Sequence, residues 1–315
     1  MALFTQYDAV GIKEDVSDII TNLSPTDTPF QAMVGSEKVT QKAFSWQEDS
    51  LRAQASNAQL EGFTADDVAV TPTVSRTNQT QILAETIKVS GSMDGADTYG
   101  RAKESAYQMS KSMAQVKRDL EYAFVGSAQA GGAGTNVTAR TMKGFQAQLH
   151  NGGTASLDAD DFVLYTGGAG TLPTEANFLS ILSHLFTYGG DPKVIMVTPT
   201  NSQTVADFAK AAGRYRTITS DSSDRDQKTL INVVDLYVSP FGQQRVVINR
   251  FLKSTNTLFF NPENWKRCTF RPWFRETLAK TGDNTSMMIV GEFSLRHKHY
   301  QASGAIVQAA GATGF

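Results

Sequence analysis

Cysteine is almost absent from this chain: Cys268 is the only one. No disulfide can form within the chain, and a zinc site built from thiolates alone is excluded. Its neighbours, Trp265-Lys266-Arg267-Cys268-Thr269-Phe270, read as the start of a half-buried strand, where an inert thiol is the ordinary case. A charge excess is also lacking, with 29 Lys and Arg against 31 Asp and Glu and a net charge of -2. Tight binding of nucleic acid by a monomer usually needs a basic excess, because each neutralised phosphate adds affinity. Only weak contact through a local basic patch fits this balance, and a polybasic membrane-surface mode is disfavoured. No apolar run reaches the roughly 18 residues of a transmembrane helix. The N-terminus, Met1-Ala2-Leu3-Phe4-Thr5-Gln6-Tyr7-Asp8, has neither the basic region nor the apolar stretch of a secretory signal. A reducing cytoplasm is the expected place of synthesis, so triplets such as Asn136-Val137-Thr138 carry no glycosylation meaning.

Signatures of catalysis are missing as well. Neither GxGxxG nor GxxxxGK followed by Ser or Thr occurs, so the glycine-rich stretches 126–134, 151–154 and 166–171 read as turns and connectors. HExxH and the GxSxG nucleophile elbow are absent. Asp66-Asp67 and Asp160-Asp161 are adjacent, so their carboxylates point apart, and they fall in loops. The four histidines are His150, His184, His297 and His299. His297 and His299 stand two apart and share a face if they lie on a strand. They could supply two metal ligands, but nothing nearby in sequence points to a third. The competing reading is a solvent-facing strand together with Arg296, Lys298 and Tyr300. His184 lies in an apolar helix and reads as structural. No metal, no cofactor and no enzymatic activity are expected.

What is present is ample core material. Of 315 residues, 18 are Phe, 9 Tyr and 3 Trp, which excludes a disordered chain and allows two domains or one large one. Residues 1–36 read as an irregular arm, because Pro25 and Pro29 favour extended geometry around Ser24-Pro25-Thr26-Asp27-Thr28-Pro29-Phe30. A short helix over Glu14 to Asn22 is compatible with this arm. Residues 37–90 read as a two-stranded excursion. Its strand-like stretches are 38–46, 68–76 and 80–89, with a polar link from Gln47 to Asp67. Such a hairpin is marginal alone in water and needs an outside surface.

The cleanest periodicity is Tyr99, Ala102, Ala106, Met109, Met113, Val116, Leu120 and Phe124, spaced 3, 4, 3, 4, 3, 4, 4. It predicts one amphipathic helix over 96–129. No second helix of that length accompanies it, so it reads as a spine against a sheet. Residues 175–250 read helix, strand, helix, strand, strand, a compact α/β lobe. Residues 257–307 return to strands, around Thr257-Leu258-Phe259-Phe260, Cys268 to Phe274 and Ser286 to Leu295.

This order of parts resembles the major capsid protein family of tailed bacteriophages, with its HK-type shell fold. The segments Asp15-Val16-Ser17-Asp18-Ile19-Ile20-Thr21-Asn22-Leu23-Ser24-Pro25-Thr26-Asp27-Thr28-Pro29-Phe30 and Trp46-Gln47-Glu48-Asp49-Ser50-Leu51 are similar to the N-terminal region of one head-protein subfamily. The resemblance implies an α+β fold with an N-terminal arm (1–36), an extended β-hairpin loop (37–90), a peripheral domain carrying the spine helix (91–174 and 251–315) and an axial α/β domain (175–250). It implies self-assembly into hexamers and pentamers that enclose double-stranded DNA, in a virion assembled in the host cytoplasm. The implied inter-subunit contacts are Phe30, Trp46, Arg52, Glu61 and Phe63. The implied partners are further copies of the chain, a separate scaffolding protein (the arm starts at residue 1, leaving no fused scaffolding domain), a portal and DNA held by weak, non-specific contact, with either non-covalent interlocking or a cement protein holding the lattice.

Some family members join neighbours by a Lys–Asn isopeptide bond. Lys38, Lys42, Asn261 and Asn264 are of the right types, but Gln47 to Asp67 contains Arg52 and no lysine, so no such cross-link is expected. Rival readings are a nanocompartment shell of the same fold, an enzyme built on the 175–250 lobe, and a tail-tube subunit, which would lack the spine helix.

Overall fold

A computed structural model of the chain describes residues 23–65, 70–126, 129–149, 157, 161–166, 172–211, 236–253 and 256–308. The expected helix over Glu14 to Asn22, His150 and Asp66-Asp67 lie outside the described residues.

Pro29 opens α1 (Pro29–Met33), at a position where a missing N–H costs nothing. Four strands follow: β1 (Gly35–Lys38), β2 (Ala43–Glu48), β3 (Val74–Gln79) and β4 (Gln81–Ser90). β2 and β3 form an antiparallel pair of their own, in register from Ala43 opposite Gln79 to Glu48 opposite Val74. The paired part is shorter than the sequence predicts, because β3 begins only at Val74. Pro72, which has no N–H to give a ladder, lies just before it.

Ser90 then caps α2 (Gly91–Asp94), its hydroxyl accepting the Met93 N–H. The spine helix is α3 (Glu104–Glu121), closed by a π-helical turn at Tyr122–Gly126. It starts later than the periodicity predicts, leaving Tyr99 exposed ahead of it. Asp94 marks the start by accepting the Ser105 N–H at 3.1 Å, and that bond holds its carboxyl below the usual range. Met109, Val116, Leu120 and Phe124 of the expected stripe are buried. Ala106 is exposed, and the inner face of the early turns runs through Ser105 and Ser112 instead. The reason is polar: Ser112 Oγ donates to Glu85 of β4 at 3.2 Å. At Gly126 a side chain is excluded, since a Cβ there would come within 2.5 Å of the Phe251 carbonyl.

The remaining elements are α4 (Phe145–Leu149), β5 (Val163–Thr166), α5 (Glu175–Thr187), β6 (Val194–Val197), α6 (Pro199–Ala211), β7 (Leu236–Ser239), β8 (Gly242–Ile248), β9 (Thr257–Phe260), β10 (Trp265–Thr277), β11 (Asn284–His297) and β12 (Gly304–Gln308). Two larger sheets result. One has four strands in the order β1-β10-β11-β4. The other has six, β5-β12-β9-β6-β8-β7, with β6 parallel to β8 and β12 parallel to β5. The α/β lobe expected over 175–250 supplies only β6, β7 and β8 of that sheet. Its other strands, β5, β9 and β12, come from outside that window.

The chain divides into two compact units. The first comprises Met1–Asp27, Ala84–Lys117 and Trp273–Val290. The second comprises Thr28–Leu83, Arg118–Pro272 and Gly291–Phe315, and holds the six-stranded sheet. There α5 sets Phe178, Ile181, Leu182 and Leu185 against Ile195, Val197, Phe259 and Ile306 of the sheet, in one apolar core. Full burial of each such side chain contributes about 1.5–3 kcal/mol.

Candidate functional site

Residues 49–65 and 70–73, which link β2 to β3, belong to no helix or strand and are exposed throughout. The link is not simply polar. Leu51 is 98% exposed, Leu60 85%, Phe63 60% and Val70 92%. Its hydrogen bonds are local: Ser50 N–H to Asp49, Arg52 to the Ala53 carbonyl, Gln59 to Asn57, and Phe63 N–H to the Leu60 carbonyl. These side chains leave apolar surface that no other described part of the subunit covers.

Three of the five residues singled out from the sequence, Arg52, Glu61 and Phe63, lie on this exposed link. The other two belong to the subunit's own core, which leaves little or none of them for a neighbour. Phe30 has no exposed surface. Its ring packs 5.4 Å from Phe260, 5.9 Å from Phe124 and 6.0 Å from Phe145, between ring centres. The seat is fixed by Glu121, whose carboxylate accepts the N–H groups of Phe30 (2.8 Å) and Gln31 (3.1 Å) and the Asn249 amide (2.8 Å). Burial pushes the Glu121 carboxyl up, against the pull of these donors. The sequence carried no sign of this role for an acid outside the apolar stripe of the spine helix.

Trp46 is 8% exposed and packs edge-on against His297, with ring centres 5.0 Å apart. Together they form the root of the hairpin. Glu48 accepts from Trp46 Nε1 (3.2 Å) and Arg76 Nε (3.0 Å), Arg76 lies over the Tyr300 ring, and Arg296 pairs with Glu37 at 2.7 Å. His297 is therefore neither on a solvent-facing strand nor one of a pair of outward ligands. It is buried, whereas His299 is exposed beyond the end of β11. Among the described residues no group of three His, Cys, Asp or Glu side chains could hold a metal ion. Cys268 is fully buried and its thiol is pushed up to about 12, mainly by burial, so it stays protonated and inert.

His297 has a consequence for pH. Burial, then Arg76, His299, Arg296 and Lys143, lower it from 6.5 to about 3. Its Nδ1 lies 3.2 Å from a Glu48 oxygen without a hydrogen bond to it. Between these pH values the unfolded chain binds a proton that the folded chain refuses. Stability therefore falls as pH drops from about 6.5 toward 3, by up to about 1.4 kcal/mol per pH unit. In His297→Phe, the slope of urea midpoint against pH should flatten in that window; a slope equal to that of the unsubstituted chain would refute the assignment.

A second buried carboxylate, Glu292 on β11, is 1% exposed. It accepts from Thr80 Oγ1 (2.6 Å), from Arg271 Nε (2.9 Å) and from Arg140, which also donates to the Thr80 carbonyl at 2.8 Å. This node ties the start of β4 to β10, β11 and the loop before α4. Asn78, one residue before the end of β3, adds another tie, donating to the Leu295 carbonyl at 2.6 Å. The exposed link thus springs from a rigid base.

Comparison with known proteins follows the same lines. The family model for the SU10 major capsid protein matches residues 3–310. The major capsid protein of Escherichia phage Phieco32 is 30% identical over 347 residues, covering 98% of this chain and 97% of that protein. Among solved structures, the cyanophage A-1(L) capsid matches with a TM-score of 0.69 at 12% identity, over 95% of this chain and 97% of that one. The capsid of the native GTA particle matches at 0.64 with 13% identity, over 97% and 98%. The holo-SrpI encapsulin complex from Synechococcus elongatus PCC 7942 matches at 0.59 with 8% identity, over 100% and 99%. Identities this low show the shared α+β shell fold alone, whereas the family model and the near-full-length relative separate phage head from nanocompartment. The chain belongs to the SU10 major capsid protein family, and it is a structural subunit of the icosahedral shell of a tailed-phage head.

Proposed function

We propose that residues 49–73 form the extended loop that each subunit lays over its neighbour, with Arg52, Glu61 and Phe63 among the contacts. One observation carries this reading: the described residues of the link expose Leu51, Leu60, Phe63 and Val70, and their hydrogen bonds are local to the link. A second copy supplies the missing surface, and repetition closes hexamers and pentamers into the head. In this arrangement the residues ahead of α1 are an arm reaching neighbours, while Phe30 and β1 are built into the subunit itself; 91–174 and 251–315 are peripheral, and 175–250 is axial at the capsomer centre. A separate scaffolding protein sets curvature during assembly in the host cytoplasm, a portal occupies one vertex, and a cement protein locks the lattice. The net charge of -2 suits a wall that confines double-stranded DNA through weak, non-specific contact. The role is structural and involves no catalysis.

Electron microscopy of the full chain, alone and co-expressed with a scaffolding protein, tests this. Closed angular shells, or rings of five and six, are the expected result. A chain that stays monomeric even with the scaffold present overturns the reading.

A further inference from the structure

Beside His297, at the root of the hairpin, lies a small polar cavity of about 80 Å³, lined by Trp46, Arg76, Lys143, Gln148, His297 and Tyr300 among others. Its charges do not cancel. Arg76 is paired with Glu48, and Arg296, close by, with Glu37. Among the described residues Lys143 forms no ion pair, so one cation is in surplus. Two buried polar atoms on the lining are also without hydrogen-bond partners, Nδ1 of His297 and Oε1 of Gln148. Each costs about 1–3 kcal/mol if nothing satisfies it. Gln148 cannot exchange its ends, because its Nε2 already donates to the carbonyls of Lys143 (3.1 Å) and Leu295 (3.3 Å). The Lys143 backbone is clamped by Asn78, which accepts its N–H at 2.8 Å and donates to its carbonyl at 3.3 Å. These groups stand on rigid elements, as a binding site requires.

We propose that this cavity binds a hydrogen phosphate ion. Lys143 and Arg76 supply positive charge, His297 in its Nδ1–H form donates to one phosphate oxygen, and Gln148 Oε1 accepts from the anion's own hydroxyl. That last partner is selective. Sulfate and carboxylate at neutral pH, and the phosphodiesters of DNA, carry no O–H and leave Gln148 unsatisfied. Free phosphate, which keeps an O–H at neutral pH, has the chemistry that fits; phosphate monoesters, whose second pKa is about 6, and the DNA backbone do not.

The test is the melting temperature and calorimetric titration of the full chain as unassembled protomers. Sodium phosphate, sodium sulfate and sodium chloride are compared at matched ionic strength, with a short DNA duplex at equal phosphate concentration. Saturable stabilisation by phosphate is expected, with a smaller shift from sulfate and none from chloride or DNA. Lys143→Met should weaken phosphate at least tenfold, and Gln148→Leu should erase the preference over sulfate. If Lys143→Met fails to fold, Gln148→Leu carries the test through that preference. Phosphate acting no better than chloride, equal stabilisation by sulfate, or undiminished binding in Lys143→Met each overturns the site. Stabilisation by DNA that Lys143→Met abolishes assigns the site to the nucleic-acid backbone and overturns the free-anion reading.

Discussion

Leu51→Asp, Leu60→Asp and Phe63→Asp together are expected to abolish shell assembly while leaving the subunit folded. The three side chains are 98%, 85% and 60% exposed in the isolated chain. Each exchange on its own should move stability by no more than about 0.5 kcal/mol. On the proposed reading of the link, the same residues leave water in an assembled shell. Each is then worth about 1.5–3 kcal/mol, so losing three weakens a subunit contact by about 4–9 kcal/mol, a factor of roughly a thousand or more in affinity. Carboxylates in their place add a desolvation cost. Val137→Asp is the control, since Val137 is 95% exposed but lies outside the link. Melting temperature read beside light scattering in the presence of scaffold separates the cases. Shells of normal yield from the triple variant would place the contact elsewhere, and a lowered melting temperature would show that the link supports its own subunit.

The link could be read from sequence as an irregular excursion, because it is long and lacks the periodicity of a strand or helix; its exposed apolar side chains were missed, since its composition reads as polar. α5, β6 and α6 were legible for the opposite reason, each matching a short apolar pattern bounded by Gly, Pro or a cap. Sheet membership was not. Thr257-Leu258-Phe259-Phe260 reads as a buried strand, but only pairing distant in sequence puts it between β12 and β6. The spine helix was legible at Met109, Val116 and Leu120, where burial is apolar, and misread at Ala106, where the inner face is built from serines. Phe30 and Trp46 stand in segments that look like arm and hairpin, and their burial depends on partners far along the chain. Phe30 is seated by Glu121 and Trp46 by His297. Nothing in the spacing of an acidic helix residue announces that it receives the N–H groups of a helix 91 residues earlier.

Glu292→Ala is expected to be among the most destabilising single substitutions outside the apolar core. The carboxylate is 1% exposed and gathers Thr80, Arg140 and Arg271. Breaking a buried pair by removing one partner typically costs about 3–5 kcal/mol, because the opposite charge is left without compensation. Arg271 is 44% exposed at its side chain and can turn to water, whereas Arg140 is 22% exposed and held by the Thr80 carbonyl. The cost should therefore fall near the lower end, about 3 kcal/mol, and most of it should couple to Arg140. Arg271→Ala alone should lose only about 0–1 kcal/mol, as an exposed pair does. A double-mutant cycle in urea between Glu292→Ala and Arg140→Ala should return a coupling of about 1–3 kcal/mol, against roughly 0.5 for Arg271→Ala. Equal couplings for the two arginines would mean that burial does not set the strength of this node. A loss below about 1 kcal/mol in Glu292→Ala would mean that the four segments meeting there are held by strand pairing alone. Since the hairpin is rooted one residue away at Gln79, whose carbonyl accepts from Ser294 at 2.7 Å, a weakened node should also loosen the base of the link. Assembly of Glu292→Ala should then fail at temperatures where its protomer is still mostly folded.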